Sequence, residues 1–302
     1  MIKISIGIPA YNEQANIKRL LLALLSQKKD SFSLQEIIVV SDGSTDSTLQ
    51  EALSVEDKVI KVIHHADRQG HAVRQNEILE NFSGDILVLL NADVLPKDLY
   101  LLENLIQPFA GSEKIGIVGG KGSPVQAETF FEEVVNFSAQ MKQEMAELYN
   151  KGDNIYLCHG HVRAFSRKFA DQLRLPSVVS EDAYSYLFCK RLGLSFHFEP
   201  TAQIIYRSPQ NLRDHLMQSV LFFQGQKDLT IFFSYDDVNK EHSIPKNIIF
   251  VKIVKYFFKN PVLFISYLFT LAASKVAGMF TNQAIINWQM ATSSKNLGDK
   301  AG

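Results

Sequence analysis

Apolar positions recur along the chain in two alternating rhythms. Residues 3–8 alternate apolar and polar side chains and stop at Pro9, the pattern of a half-buried strand. Ile17, Leu20, Leu21, Leu24 and Leu25 then fall three and four apart. That spacing marks one face of a helix, with Asn12 as its cap and an end near Gln27. The succession repeats. A short apolar strand over 36–40 closes at Ser41-Asp42-Gly43-Ser44, and a helix follows over 46–53. Further strands are predicted over 58–63, 85–90 and 115–119. A helix over 70–80 ends at a turn through Gly84, and Pro96 suits the first turn of the next helix. The 85–90 run is nearly all apolar, as a strand covered on both faces requires. Strand–helix alternation to about residue 122 predicts a parallel α/β sheet with right-handed crossovers. In such sheets ligands bind beyond the carboxyl ends of the strands. From 123 to 240 the rhythm is less regular. Helices are expected over 127–149, 181–192 and 210–233, and short strands over 196–199 and 202–206. No internal repeat of 20–50 residues is present.

Composition sharpens this picture in two places. With 302 residues, 46% apolar and 21% charged, the chain can bury a sizeable core, which excludes wholesale disorder. Cys158 and Cys189 are its two cysteines and form no C-x-x-C pair. That excludes a disulfide scaffold, disfavours a thiolate zinc site and predicts free thiols in a reducing compartment. The first residues alternate too strictly for a signal peptide and read as a strand that starts at once. The net charge of −1 hides an asymmetry. Between Ser243 and Ser294 stand five lysines and no Asp, Glu or Arg, which leaves residues 1–242 at −7.

The loops after the strands carry the candidate chemistry. Pro9-Ala10-Tyr11-Asn12-Glu13 has no glycine, which argues against a dinucleotide fold with G-x-G-x-x-G in its first turn. A Walker A motif is also missing, so a nucleotide here would be held by side chains and a metal. Asp42 could accept hydrogen bonds from a base or a ribose, although Asp42-Gly43 and Asp46 also make an ordinary turn and helix cap. Asn91 and Asp93, two residues apart beyond a buried strand, could share a hard cation such as Mn²⁺ or Mg²⁺, or could merely cap a helix. Glu181 and Asp182 open a helix, where a carboxylate is either a dipole partner or a general base.

Taken together, Pro-Ala-Tyr-Asn-Glu, Val-Val-Ser-Asp-Gly-Ser-Thr-Asp, Asn-Ala-Asp and Glu-Asp occur in the order and spacing of one family. From residue 3 to about 230 the sequence resembles the family 2 glycosyltransferases of the GT-A fold. Residues 68–76 are similar to that family's basic, Gly- and Asn-containing segment, and 159–167 to its later Gly- and Arg-containing one. The resemblance implies a Rossmann-like, mixed and mostly parallel α/β sheet flanked by helices. It implies inverting transfer from a nucleoside diphosphate sugar, with UDP the first choice of nucleotide. Pro9, Ala10, Tyr11, Glu13, Asp42, Arg68 and Asn91 would bind the donor. Asp93 with Asn91 would hold the divalent cation, Mn²⁺ or Mg²⁺. Asp182, beside Glu181, would be the base. His159, His161, Arg163 and Gln218 would lie on the acceptor side, with the other histidines structural.

Three departures from the family pattern matter. Asn91 stands where many members have Asp, which leaves Asp93 as the direct ligand. His71 replaces a customary Lys, so Arg68 or Arg74 would meet the phosphates. Gln218-Ser-Val-Leu221-Phe222 replaces the Gln-x-x-Arg-Trp of processive members, which points to transfer of one or few sugars. The chain then divides into a nucleotide-sugar-binding half (1–122), an acceptor and base half (123–242) and a basic apolar tail (243–302).

The tail bears on location. Lys252, Lys255 and Lys259 share one face of a predicted helix over 248–259 whose other faces are apolar, as in an interfacial helix with lysines toward anionic headgroups. Pro261 ends it, and 14 uncharged residues follow to Ser274, short of the ~20 that a span needs. A shallow helical hairpin on the cytoplasmic face of the membrane, inserted through residues 246–280, fits better than a span. A soluble helix pair packed on the domain is the plainer alternative. The expected partners are the sugar nucleotide, a glycan or lipid-linked acceptor and a membrane surface, without nucleic acid. The competing functions are a nucleotidyltransferase, which residues 9–13 do not suit, and an inactive scaffold of the same fold.

Overall fold

The computed structural model describes residues 1–177, 180–280 and 292–298. Strands and helices alternate through the first half: β1 (Ile2–Ala10), α1 (Ile17–Leu25), β2 (Phe32–Asp42), α2 (Thr48–Leu53), β3 (Ile60–His65), α3 (His71–Asn81), β4 (Ile86–Leu90), β5 (Val94–Pro96), α4 (Leu101–Gly111) and β6 (Ile115–Pro124). There follow α5 (Phe130–Leu148), β7 (Val162–Ser166), α6 (Arg167–Ala170), α7 (Glu181–Arg191), β8 (Ser195–Tyr206), α8 (Leu212–Leu229), α9 (Tyr235–Glu241), α10 (Lys246–Lys259) and α11 (Pro261–Phe280). The eight strands form one sheet in the order β3-β2-β1-β4-β7-β6-β8-β5. β3, β2, β1 and β4 pair in parallel, as do β6 and β8, while β7 runs antiparallel to both β4 and β6. The expected mixed, mostly parallel α/β sheet is therefore present.

Alternation along the strands builds a core on each face. Ile4, Ile6, Ile8, Val39, Val88 and Leu90 pack under α1 and α4. Ile38, Val40, Leu87, Leu89 and Phe165 pack under α3 and α7. At Gly7 the helix α3 approaches so closely that a Cβ would stand 2.4 Å from Ile78 Cγ2. Cys158 and Cys189 are free and buried, and burial pushes the Cys189 thiol up to about 12 and Cys158 higher still. On β2, the buried Glu36 carboxylate accepts from Ser5 Oγ, Ser83 N and Ser83 Oγ at 2.7 Å each and from Lys61 Nζ at 2.6 Å. Burial alone would raise its pKa, but these donors outweigh burial and bring it down to about 2.

Several expectations are corrected. Asn12 does not cap α1. It takes a left-handed conformation (φ 53°) that redirects the chain, and the helix starts at Ile17 behind Asn16. Pro96 ends a short strand instead of opening a helix, because Val94–Pro96 pairs with β8. The two expected strands over 196–206 are one continuous strand, bent where its register on β6 shifts. β7 and α9 were not expected from the pattern.

Residues 246–280 of the tail form the expected helical hairpin, but the lysines of α10 turn toward α5. Lys252 and Lys255 pair with Glu144 Oε2 of α5 at 2.6 and 2.8 Å, Tyr256 donates to Glu144 Oε1 at 2.8 Å, and Lys259 reaches Gln140 Oε1 at 3.1 Å. α5 supplies the acid that 243–294 lacks, so the lysine face docks there instead of meeting headgroups. Phe250, Phe258, Val262 and Phe269 face outward.

Glu36→Gln should cost about 1–3 kcal/mol at neutral pH, because an amide cannot accept from all four donors. The carboxylate's contribution is present above its unfolded pKa near 4.5 and is lost as pH falls toward 2. Urea unfolding should therefore show the gap between Glu36→Gln and wild type closing across that interval.

Candidate active site

The order β3-β2-β1-β4 reverses direction between β1 and β4, so their following loops splay apart and open a crevice. β1 delivers Pro9, Ala10, Tyr11 and Glu13, and β4 delivers Asn91 and Asp93. Because β7 runs the other way, the residues before it also arrive at this end, and Asn91 N donates to His161 O at 3.1 Å. Pro9, Ala10, Tyr11, Glu13, Asp42, Arg68, Asn91 and Asp93 all line one cleft of about 70 Å³. Glu13, Asn91 and Asp93 also line a larger adjoining cavity of about 510 Å³, with His159, His161, Glu181, Asp182 and Gln218 on its other walls.

The cleft is built by side chains instead of glycines. Asp42 Oδ1 accepts from Gln69 N at 2.8 Å and Arg74 Nε at 2.7 Å, and Oδ2 accepts from Gly70 N at 2.8 Å. Asp42 thus pins the 67–70 loop, and Arg68 from that loop stacks on the Tyr11 ring at 4.1 Å. Arg74 lines the cleft too, buried and engaged with Asp42, Glu77 and the Asp67 carbonyl. Glu13 is buried. Burial and the charge of Asp93 raise its pKa to about 7 against the opposing pull of Lys295.

The first turn of α7 separates two adjacent carboxylates by environment. Glu181 is buried, and Oε1 lies 2.8 Å from His71 Nδ1. Burial pushes its pKa up, but His71 and Arg163 outweigh burial and hold it low. Asp182 is half-buried and opens into the cavity, accepting from Gly160 N at 3.1 Å and Ala183 N at 2.7 Å. Burial and the charge of Glu181 raise its pKa. One carboxylate is thereby fixed as an anion and the other is tuned upward, the division that acid–base chemistry uses.

Arg163, expected on the acceptor side, is fully buried and does not line the cavity. Its guanidinium lies beneath α7, donating to Ser185 Oγ at 2.9 Å and Gln75 Oε1 at 3.3 Å. The neighbouring acids need a counter-ion there. His159 and His161 stand at the cavity wall with ring centroids 5.0 Å apart, and His161 stacks on Tyr206 at 4.5 Å. Burial lowers both histidines, His159 to about 3, so both are neutral at pH 7.

A hard cation suits the Asp93 corner. Asp93 Oδ1 and His161 Nδ1 are buried without hydrogen-bond partners among the described residues. Among the described residues, no three His, Cys, Asp or Glu side chains are grouped so as to hold a metal by themselves. A cation bound through Asp93 and Asn91 would complete its shell with ligand oxygens and water, as Mg²⁺ and Mn²⁺ commonly do.

Sequence reasoning missed the pairing of His71 with Glu181, 110 positions apart, and the arrival of Lys295 in the cavity. No local pattern announces either residue. A lone lysine in Ser-Ser-Lys-Asn reads as surface.

A mostly parallel sheet with an antiparallel insertion, opening acidic loops onto one crevice, defines the GT-A class. The family model for glycosyl transferase family 2 matches residues 5–174. The chain belongs to that family. The glycosyltransferase AglE of Haloferax volcanii is 33% identical over 119 residues, covering 39% of this chain and 38% of AglE. A dolichol-phosphate mannosyltransferase of Pyrococcus furiosus is 28% identical over 151 residues, 48% of this chain and 41% of that protein. The match thus spans about two-fifths of the length of each of these relatives. The mannosyltransferase PcManGT of Pyrobaculum calidifontis, solved with GDP-Man and Mn²⁺, shares the fold at a TM-score of 0.57 and 20% identity. That alignment covers 91% of this chain and 75% of PcManGT.

Arg163→Met should destabilise the fold by about 1–3 kcal/mol, because it leaves the buried Ser185 Oγ and Gln75 Oε1 without their donor. Gln218→Ala, at an exposed cavity position, should stay within about 0.5 kcal/mol. Denaturant unfolding separates the two. Equal small effects would return Arg163 to the acceptor side.

Proposed function

We propose that the chain transfers a sugar from a nucleoside diphosphate sugar to an acceptor hydroxyl or phosphate, with inversion. The observation that carries this reading is the continuity of the two hollows. Asp93, with a bare buried oxygen, lines both, and Asp182, with a raised pKa, lines the larger one with it. The donor half, residues 1–122, would hold the nucleoside between Tyr11, Asp42 and Arg68. The acceptor half, residues 123–242, would present the nucleophile from the His159–His161 and Gln218 walls.

The geometry suggests how the residues divide the work. A divalent cation at Asp93 and Asn91 would supply Lewis-acid stabilisation of the departing diphosphate. PcManGT, solved with GDP-Man and Mn²⁺, supports that choice. Asp182 takes the proton of an acceptor hydroxyl as its oxygen bonds to the anomeric carbon and the bond to diphosphate breaks on the opposite side. The diphosphate leaves with the bonding electrons, and the configuration inverts. Glu181, held anionic by His71 and Arg163, keeps the Asp182 pKa raised. Leu221 and Phe222 line the cavity where processive members carry Arg and Trp, which supports transfer of one or few sugars.

We also assign the hairpin to a membrane surface on the cytoplasmic side. The stretch Pro261–Gly278 has a mean hydropathy of 1.4 with 28% of it buried. The Pyrococcus relative, named for dolichol phosphate, supports a polyprenyl-phosphate acceptor.

A thermal-shift panel of UDP, GDP, CDP and dTDP, with and without Mn²⁺, tests the donor site. One nucleotide with metal should stabilise the protein by about 2.7 kcal/mol at a hundredfold excess over Kd, and Asp93→Ala should abolish the shift. With a hydroxyl acceptor, Asp182→Asn should cut kcat by about 10²–10⁴-fold with that binding retained. No shift for any nucleotide would sink the donor reading.

Vesicle co-sedimentation tests the hairpin. Binding should fall sharply in the double variant Phe258→Ser, Phe269→Ser. It should differ little between zwitterionic and anionic lipid, because Lys252 and Lys255 are already paired with Glu144. A strong preference for anionic lipid would mean that the lysine face leaves α5.

A further inference from the structure

A short segment remote in sequence forms part of the active-site wall. Residues 292–298 cross from the start of α8 to α1. On the α8 side, Ser293 donates to Asp214 Oδ2 from N at 2.9 Å and from Oγ at 2.6 Å. Leu297 is 1% exposed within the main core, and Arg207 Nη2 lies 3.5 Å from its carbonyl. On the α1 side, Asn16 donates to the Lys295 carbonyl and Arg19 Nη1 donates to Gly298 O at 3.0 Å. Held at both ends, the segment aims Lys295 at the loop after β1. Its Nζ donates to Tyr11 O at 2.5 Å, to Asn12 O at 2.8 Å and to the Glu13 carboxylate.

An ammonium group has three protons, and three consecutive residues of one loop take them. The opposite edge of that loop is tied elsewhere. Asn12 N donates to Ser44 Oγ at 3.1 Å, Glu13 N to Thr48 Oγ1 at 2.6 Å and Gln14 N to Asp46 Oδ2 at 3.2 Å. The loop is therefore clamped, its amides by the turn after β2 and its carbonyls by Lys295. It contains a left-handed Asn12 and presents Tyr11 and Glu13 to the donor cleft.

We propose that Lys295 is a positioning residue of the donor site, holding the Tyr11–Glu13 loop in the shape that receives a nucleoside diphosphate. The assignment rests on the donor-site reading above. A loop displaced by about 1 Å would lose the geometry on which binding depends. The segment also joins the two halves of the domain, so the acceptor side and the donor loop share one brace.

Two measurements on the full chain test this, with Lys295→Gln and Lys295→Arg as the variants. In hydrogen exchange without ligand, the amides of Asn12, Glu13 and Gln14 should exchange at least tenfold faster in Lys295→Gln and near the wild-type rate in Lys295→Arg. In steady-state transfer, Lys295→Gln should raise the donor KM at least tenfold with kcat and the acceptor KM within threefold, and Lys295→Arg should recover most of the loss. Unchanged exchange in Lys295→Gln overturns the contact. Faster exchange with an unchanged donor KM makes the lysine a structural brace only and overturns its donor role. Failure of the donor-site reading is read separately, from wild type that binds no nucleoside diphosphate. In that case the donor role falls with it, and exchange still reports whether the loop is clamped.

Discussion

Two neighbouring carboxylates cannot both be withdrawn from water and stay charged unless a cation is buried with them. Here His71 and Arg163 serve Glu181 in that way, and much of the architecture follows from placing Arg163. It sits on β7, and β7 is the strand that breaks the parallel order of the sheet by running antiparallel between β4 and β6. That reversal puts Arg163 beneath the first turn of α7 and the preceding histidines beside the end of β4. The guanidinium and His71 keep Glu181 ionised, and the ionised Glu181 raises Asp182. Strand direction, buried charge and the tuning of the candidate base are one linked arrangement.

The smaller cleft solves a different problem by the same means. Many nucleotide folds bring their backbone to the phosphates with glycines. This chain instead spends polar side chains on its own loops: Asp42 and Arg74 lock the turn before α3, and Ser44, Asp46 and Thr48 lock the loop after β1. Such loops are rigid before any ligand arrives, so little ordering entropy remains to be lost on binding. What the site leaves bare is acidic, at Asp93, and neutral imidazole, at His159 and His161. That balance favours a bound cation over a bound anion as the first contact.

Local rules made the first half readable. Residues 3–8, 36–40 and 85–90 alternate or run apolar because each is a strand with at least one covered face, and the helical spacing of Ile17 to Leu25 names its own buried stripe. The residues beyond those strands were legible as chemistry because the switch in strand order gathers them. β7 was not legible, because its alternation carries Arg163 on one face, and a charged residue reads as surface until a buried acid partner is known. The direction of the α10 lysines was misread for the same reason: Glu144 lies more than a hundred residues earlier. Asn12 read as a cap because Asn is a favoured cap type ahead of an apolar helical run; its side chain does accept a backbone hydrogen bond, from Thr45 N at 2.8 Å, but across loops instead of along a helix.

The burial of both cysteines has a practical side. Cys158 and Cys189 are the whole thiol content of the chain, and neither meets solvent or reaches its thiolate near neutral pH. Alkylating dyes and mild oxidants should leave the folded protein untouched. A single cysteine introduced at an exposed position, such as Asn296, would then be the one reactive handle. A fluorophore or spin label could follow the Thr292–Gly298 segment in the native chain without first removing the natural cysteines.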